Sequence, residues 1–240
     1  MMYVFAEGKT EERVLEGIKR RLIPDLALKV APPEGKDQLN RRMVATLAPL
    51  LQRDDPIRCL VLRDLDEDAG ETVTAIVQGV NDAVRKMVQQ RMPDSPPITL
   101  SPHLAHASVY TLELPRPDLR LALHIATHRW RAEFVKATID DYVLSLAALP
   151  ATAGALIAGK GWPTTADQVL RKVTTEIPRL LAGNGIPLQE AKDYVRLYAA
   201  VIQEHTSPPV FAARTLAHAD ETDLQRVLAP LLAAIEFIRS

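Results

Sequence analysis

The segment IRCLVLRDLDED, residues 57–68, is the stretch that decides the fold. Its apolar residues occupy consecutive positions, which is typical of a central strand in a parallel sheet that is covered on both faces. Asp64 and Asp66 follow this apolar run. Because they are two residues apart, they point to the same side of an extended chain, and Leu65 points to the other. The segment therefore predicts a buried strand with two carboxylates at its carboxyl end.

Strand and helix patterns alternate through the first half of the chain. Helical segments with apolar residues at spacings of three and four follow each of the first three strand patterns. The predicted strands span residues 3–7, 26–33, 57–68, 98–100, 108–114 and 119–126, and the predicted helices span 10–22, 36–53, which Pro49 should kink or end, and 71–92. This order predicts an α/β fold with a mostly parallel sheet and flanking helices.

From about residue 130 the strand patterns stop. Helical patterns then cover residues 132–149, 166–182, 188–205 and 222–238, separated by joints rich in Gly and Pro. The sequence therefore predicts two domains, an α/β domain over residues 1–128 and an all-helical C-terminal module over residues 129–240.

The composition limits the classes of function. The chain has 240 residues, of which 47% are hydrophobic, enough for a substantial core. Its net charge of −1 provides no overall basic field, so any binding of nucleic acid would depend on a local patch. The single cysteine, Cys59, excludes an intramolecular disulfide, and no apolar run approaches the ~18 residues of a membrane span. We expect a cytoplasmic protein that does not enter the membrane.

Acidic side chains follow two of the predicted strands. Glu7 ends the first strand, and Asp64 and Asp66 end the third. Functional groups of open parallel sheets gather at the carboxyl ends of the strands. If these two strands are neighbours, the three carboxylates should meet at one edge, and Glu11, in the first turn of the following helix, is close enough along the chain to join them.

Carboxylates that meet in this way repel one another, and a bound cation makes the cluster tolerable. Their hard oxygen atoms suit Mg²⁺ or Mn²⁺ rather than Zn²⁺. Such ions act in phosphoryl transfer and phosphodiester hydrolysis. We therefore predict that Glu7, Glu11, Asp64 and Asp66 are catalytic metal ligands, with Asp68 as a further ligand. The alternative is a solvated acidic turn that leads into a helix.

The segments VFAEGKTEERVL (4–15) and CLVLRDLDED (59–68) together resemble the Toprim (topoisomerase–primase) family. They are most similar to stand-alone bacterial Toprim-like proteins and to the overcoming-lysogenization-defect nuclease branch. The family pattern is a glutamate and a glycine at the end of the first strand and a DxD motif at a later strand end, matched here by Glu7, Gly8, Asp64 and Asp66. Glu11 matches an extra acid of the nuclease branch, in which two metals are bound. The resemblance covers roughly the first half of the chain.

The resemblance implies a metal-dependent nuclease, or a nuclease subunit, that works with an ATPase partner. We expect its substrate to be DNA rather than RNA and its role to be phage defence. The nuclease branch also uses a later acid and a later lysine. Glu113, with Glu133 behind it, is the candidate for the acid, and Lys192 is the candidate for the lysine. Whether the protein forms a homo-oligomer stays open.

Basic residues follow the last predicted strand in the segment HIATHRWR (124–131). Arg129 and Arg131 are candidates for phosphate contacts, with Trp130 as a platform on which a base could stack. The other interpretation of this segment is a domain junction with a half-buried tryptophan.

Two other functional classes are open at this point. The first is a Toprim-shaped binding or regulatory module without catalysis, whose helical half docks a partner protein. The second is a receiver-like or phosphatase-like domain that uses Asp64. The second class fits less well, because a receiver has paired acids after its first strand and a DxD phosphatase carries its motif on the first strand.

Overall fold

The chain forms two compact units, each built from separate parts of the sequence. The computed structural model describes residues 1–32, 35–53, 55–93, 95, 98–160, 164–204 and 206–240. The first unit comprises Met1–Lys9, Asp25–Thr127 and Ala229–Ser240, and the second comprises Thr10–Pro24 and His128–Leu228. The two units are therefore not continuous stretches of chain: each combines most of one half of the sequence with one helix from the other half.

A six-stranded sheet forms the centre of the first unit, in the strand order β2-β1-β3-β7-β6-β5. The strands are β1 (Met2–Phe5), β2 (Leu28–Val30), β3 (Ile57–Arg63), β5 (Ser101–Pro102), β6 (Val109–Pro115) and β7 (Asp118–Ile125), and β4 (Leu65–Asp66) is a short strand outside this sheet. β2, β1, β3 and β7 run parallel to one another, β6 is antiparallel to β7, and β5 is antiparallel to β6. The predicted mostly parallel sheet is therefore confirmed.

Helices cover this sheet because its central strands are apolar on both faces. The helices of the first unit are α2 (Lys36–Leu47), α3 (Val73–Arg91) and α11 (Ala229–Arg239). α11 packs on β3, β6 and β7, and α2 packs on β1 and α3. α2 ends at Leu47, just before Pro49, as predicted, and a 3-10 helix over Leu50–Gln52 follows.

The second unit is helical apart from the two-residue strand β8 (Lys136–Ala137). Its helices are α1 (Lys9–Arg21), α4 (Ile139–Ala147), α5 (Pro150–Ile157), α6 (Ala166–Arg171), α7 (Ile177–Gly183), α8 (Ala191–Val201), α9 (Pro208–His218) and α10 (Glu221–Val227). The helix predicted over residues 222–238 is broken at Leu228, so that α10 belongs to the second unit and α11 to the first.

Two contacts explain why α1 belongs to the second unit. Gly17 lies so close to Leu216 of α9 that a Cβ atom on residue 17 would be 2.5 Å from Leu216 Cδ2. At the end of α1, the Arg21 guanidinium donates hydrogen bonds to the carbonyl oxygens of Leu216, Ala217 and Ala219, which would otherwise lack donors at the end of α9. Within the described ranges, no helix is long and apolar enough to cross a membrane.

Candidate functional site

The parallel pairing of β1 with β3 brings the two acidic segments to the same edge of the sheet. Phe5 pairs with Val61, so Glu7 lies beside Arg63 at the carboxyl ends of both strands. The Glu7 Oε1 atom accepts a hydrogen bond from the Asp64 N–H at 3.3 Å. The carboxylate from the first strand is thus in contact with the backbone of the DxD segment.

Arg63 lies between two carboxylates at this edge. Its side chain is 8% exposed, and its Nε atom donates to Glu7 Oε1 at 2.5 Å. Its Nη2 atom donates to Glu71 Oε1 at 3.0 Å. Glu7 follows the end of β1 by two residues and Arg63 is the last residue of β3, and the hydrogen bond between them joins the two segments at this edge. Arg63 therefore bridges the end of β1 to the segment that follows β4.

Glu71 is a site residue that the sequence analysis missed. Asp66 accepts a hydrogen bond from the Ala69 N–H, and Gly70 adopts a positive φ of 76°, so the chain turns back after β4. This turn lets Glu71 accept a hydrogen bond from the Asp66 N–H at 3.2 Å. The position of Glu71 depends on the turn and follows no periodic pattern, so no signal in the sequence identified it.

We call the acids Glu7, Asp66 and Glu71, together with Asp64, whose backbone N–H donates to Glu7, the carboxylate rim. Lys36, the first residue of α2, supplies a second cation to it. The Lys36 Nζ atom lies 3.4 Å from Asp66 Oδ2 and 3.6 Å from Glu71 Oε1. The side chain of Lys36 is 35% exposed, so this cation is open to solvent, in contrast to the buried guanidinium.

Burial and Arg63 act in opposite directions on the pKa of Glu7. Burial raises the pKa of the Glu7 carboxyl above its ordinary value, and the attraction and hydrogen bond of Arg63 offset only part of that rise. The ionised form of Glu7 is therefore costly, and a cation beside it is what makes that form acceptable.

The other predicted acids of the first half lie in different settings. Gly8 follows Glu7 directly and precedes α1. Asp68 is exposed on the 3-10 helix Glu67–Ala69. Glu11 is buried, with 4% exposure, in the first turn of α1, a helix of the second unit.

Glu113 does not join the carboxylate rim. It pairs in register with Arg120 on β7, and Arg120 pairs with Arg58 near the start of β3. Its carboxylate forms an ion pair with Arg120 at 2.8 Å. Because β6 runs antiparallel to β7, the later residues of β6 lie at the amino end of the parallel strands, which is the edge opposite to Glu7. Strand direction, which the sequence analysis did not resolve for β6, places this acid outside the site.

The second unit contains Glu133 and Lys192, the other two candidates taken from the resemblance. Glu133 is 63% exposed and pairs with Arg131 at 3.1 Å. Lys192 lies in the first turn of α8, where its charge acts on the carboxyl of Asp140.

Arg131, a candidate for nucleic-acid contacts, uses its donors inside the second unit. Its guanidinium donates to the Thr174 carbonyl at 2.6 Å and to the Tyr194 hydroxyl at 2.8 Å. The guanidinium carbon also lies 4.9 Å from the centre of the Tyr194 ring and 5.6 Å from that of Trp130. These contacts engage the guanidinium of Arg131 within the second unit. Arg129 is half-buried.

Asp140 is a buried carboxyl group that the sequence analysis did not single out. It is 5% exposed near the start of α4, and its Oδ1 atom has no hydrogen-bond partner among the described residues. Burial raises the pKa of Asp140 to about 6, and nearby Lys192 partly opposes this rise. The only signal in the sequence is the pair of aspartates at the start of a helix. Acidic residues are common at this position, so the pair does not indicate a functional site.

The oxygen atoms of the carboxylate rim fit Mg²⁺ or Mn²⁺ by their chemistry. In the described part of the chain, however, no three His, Cys, Asp or Glu side chains are grouped so that they could hold a metal ion. Arg63 and Lys36 are the cations that contact the rim instead. A metal ion could use this donor set only if some of these contacts were rearranged.

Comparison of the chain with protein-family models, with curated proteins and with solved structures finds no match, so the function has to be argued from the site itself.

Proposed function

We propose that the chain is a Toprim-like nuclease, or nuclease subunit, that depends on Mg²⁺ or Mn²⁺ and hydrolyses phosphodiester bonds in nucleic acid. The observation that carries the proposal is the hydrogen bond between Glu7 and the Asp64 N–H. It joins the acid after β1 to the DxD segment at the carboxyl edge of two parallel strands, the edge at which such sheets place their functional groups.

Each residue of the site has a proposed role. Glu7, Asp64 and Asp66 would hold the metal ion. A bound divalent ion would supply a more acidic water molecule and neutralise charge on the scissile phosphate. Lys36 is the exposed cation of the rim, and its charge would attract the phosphate group toward the carboxylates.

The proposed substrate is DNA, and the proposed partner is an ATPase that acts with this chain, in a phage-defence role. The chain's net charge of −1 supports the need for a partner, because the whole molecule has no basic field to attract nucleic acid. The arginine nearest to the proposed stacking residue, Arg131, is already engaged within the second unit.

A cutting assay tests this function. The full chain is incubated with plasmid or single-stranded DNA and Mn²⁺ or Mg²⁺, and the wild type is compared with Asp64→Asn. We expect the variant to lose at least about 100-fold in cutting rate, because a carboxylate ligand is replaced by a neutral amide. Asp118→Asn is the matched control, since Asp118 is a half-exposed aspartate at the opposite edge of the same sheet. It should cut as the wild type does.

Equal cutting by the wild type and by Asp64→Asn would refute the assignment of the site. Absence of cutting, together with a melting temperature that does not respond to Mn²⁺ or Mg²⁺, would refute the nuclease.

A second candidate is a Toprim-shaped binding or regulatory module without catalysis. The observation that favours it is the bridge from Arg63 to Glu7 and Glu71, which already satisfies these two acids by a side chain of the protein. The melting experiment separates the two candidates, because the non-catalytic module has no requirement for a divalent ion.

A further inference from the structure

Arg63 holds a different position at the carboxylate rim from that of Lys36. Lys36 is 35% exposed and lies 3.4–3.6 Å from its carboxylates, so water screens its charge. Arg63 is 8% exposed and lies 2.5 Å from Glu7 and 3.0 Å from Glu71. The guanidinium is therefore the cation that balances these two acids at the buried side of the rim.

The donors around Glu7 leave little room for a second cation beside Arg63. Glu7 Oε1 accepts from both Arg63 Nε and the Asp64 N–H. A divalent ion binds a carboxylate oxygen at roughly 2.0–2.5 Å, so an ion on this carboxylate would lie within a few ångströms of the guanidinium. Two cations at such a distance in a half-buried site repel each other strongly.

We propose that Arg63 is the resident counter-cation of the carboxylate rim and that a divalent metal ion binds there only in exchange for the contact between Arg63 and Glu7. The inference rests on the proposed function, since it concerns the same site. The parallel pairing of β1 with β3 continues to Phe5 and Val61, two residues before Glu7 and Arg63, and so holds the two chain segments next to each other at this edge. The exchange therefore requires the guanidinium to turn away while β1 and β3 stay paired, and Glu71 remains available to hold it.

The test is the affinity for Mn²⁺, measured by titration calorimetry on the full chain, with the melting temperature as a second readout. Arg63→Gln removes the competing charge and should bind Mn²⁺ at least about tenfold more tightly than the wild type. Its melting temperature without added metal should fall and should rise more on addition of Mn²⁺ than that of the wild type. Arg63→Lys, which keeps the charge but cannot bridge two carboxylates, should show a smaller gain in affinity.

Arg58→Gln is the matched control, because Arg58 lies on the same strand and forms a two-pronged ion pair with Asp118 at the opposite edge of the sheet. It should bind Mn²⁺ as the wild type does. If Arg63→Gln does not fold, Arg63→Lys decides the matter by the same comparison.

Affinity of Arg63→Gln equal to or weaker than that of the wild type would overturn the exchange and leave the nuclease proposal standing. Binding by Arg63→Gln but not by the wild type would support the exchange and refute the nuclease activity of the natural chain. Absence of binding in both proteins would overturn both proposals.

Discussion

Arg63 and Arg131 are both held inside the protein, but by different kinds of partner. In the first unit, Arg63 lies between the carboxylates of Glu7 and Glu71. In the second unit, Arg131 donates to a backbone carbonyl and a phenol and lies against two aromatic rings, with one exposed carboxylate as its only charged partner in the described structure. A carboxylate can be neutralised by an arginine, a lysine or a metal ion, whereas a neutral carbonyl oxygen needs a hydrogen-bond donor in a defined position. The comparison therefore separates an arginine that a metal could displace from one that only supports the fold.

The carbonyl that Arg131 satisfies is orphaned by a proline. In a regular α-helix, the Thr174 carbonyl would accept a hydrogen bond from the N–H of residue 178. Residue 178 is Pro178, which has no N–H, and the helix widens into a π-helical turn over Lys172–Glu176 just before it. Arg131 supplies the missing donor from outside the helix at 2.6 Å.

The largest effect that we expect in the second unit comes from Arg131→Met. The variant leaves the Thr174 carbonyl without its donor and removes the bond to Tyr194, so we expect a loss of about 3 kcal/mol in the free energy of unfolding. Urea unfolding measures this loss. Mn²⁺ should not restore the stability of this variant, in contrast to Arg63→Gln.

Arg171→Gln is the control for this prediction. Arg171 is 64% exposed and forms a surface ion pair with Glu176 beside the same π-helical turn, so its loss should cost less than about 0.5 kcal/mol. A cost for Arg131→Met as small as that of the control would contradict the role given to Arg131. If Mn²⁺ restored the stability of Arg131→Met, the distinction between an arginine that a metal displaces and one that supports the fold would be wrong.

A second prediction compares two acids instead of two arginines. Glu7 has Arg63 beside it, but Asp140 is buried with no hydrogen bond to its Oδ1 atom in the described structure. The charged groups that act on it are Lys192, Glu190 and Arg196 of α8 and Asp141 of its own helix. Asp140→Asn removes the cost of this buried charge, and we expect it to stabilise the protein by about 2 kcal/mol at about pH 8.

The sign follows from the raised pKa. The folded state holds the proton of Asp140 up to about pH 6, whereas the ordinary value is 3.8. The stability that the wild type gains from this proton is present below about pH 4 and is lost as the pH rises through about 6. Unfolding curves of the two proteins should therefore converge at low pH and separate at high pH.

Asp167→Asn is the matched control, because Asp167 occupies the same second position of a helix after a threonine cap but is exposed. The free energy of unfolding of Asp167→Asn should be a few tenths of a kcal/mol lower, because a negative charge near the positive end of the helix dipole is lost. The variant should not be more stable than the wild type at about pH 8. A difference between Asp140→Asn and the wild type that does not change with pH would show that the Asp140 carboxyl is ionised at little cost.

The smallest effect concerns the packing of α1 within the second unit. Gly17→Ala places a Cβ atom 2.5 Å from Leu216 Cδ2, and Leu216 is fully buried and cannot move away freely. The cost of overpacking should exceed the gain in helix propensity, with a net loss of about 1 kcal/mol in thermal or urea unfolding. Gly154→Ala in α5 is the control, because a Cβ atom there meets nothing within 4 Å, and it should stabilise by about 0.5–1 kcal/mol. Stabilisation by both variants would show that α1 does not pack closely on α9.

The sequence predicts the elements of the sheet better than those of the helical unit. The apolar run of β3 and the regular alternation with helices are local patterns, and five of the six predicted strand segments overlap a strand of the sheet. The strand predicted over residues 98–100 is wrong, because the short strand β5 begins only at Ser101. The helix predicted over residues 132–149 begins only at Ile139, where Thr138 and Asp141 form a capping box. The sequence analysis does not predict α5, which begins at Pro150 just after the predicted helix over residues 132–149 ends. It does not predict α9 either, because the prolines at the start of α9 lie in a segment that it interprets as a joint.

The sequence by itself determined the mostly parallel sheet and the position of Glu7 and the DxD segment after two of its strands. The structure shows that these two strands are neighbours, which is the condition for Glu7 to meet the DxD segment. Hydrophobic patterning is a local property, and the rule that parallel strands end at a common edge holds in any such fold. Only the tertiary structure decided that α1 packs in one unit and α11 in the other, that Glu113 lies at the far edge, and that Arg63 bridges Glu7 to Glu71. These outcomes depend on strand direction and on contacts between residues that are distant in sequence. A buried polar group needs a hydrogen-bond or ion-pair partner, and the packing of the whole chain decides which residue supplies it.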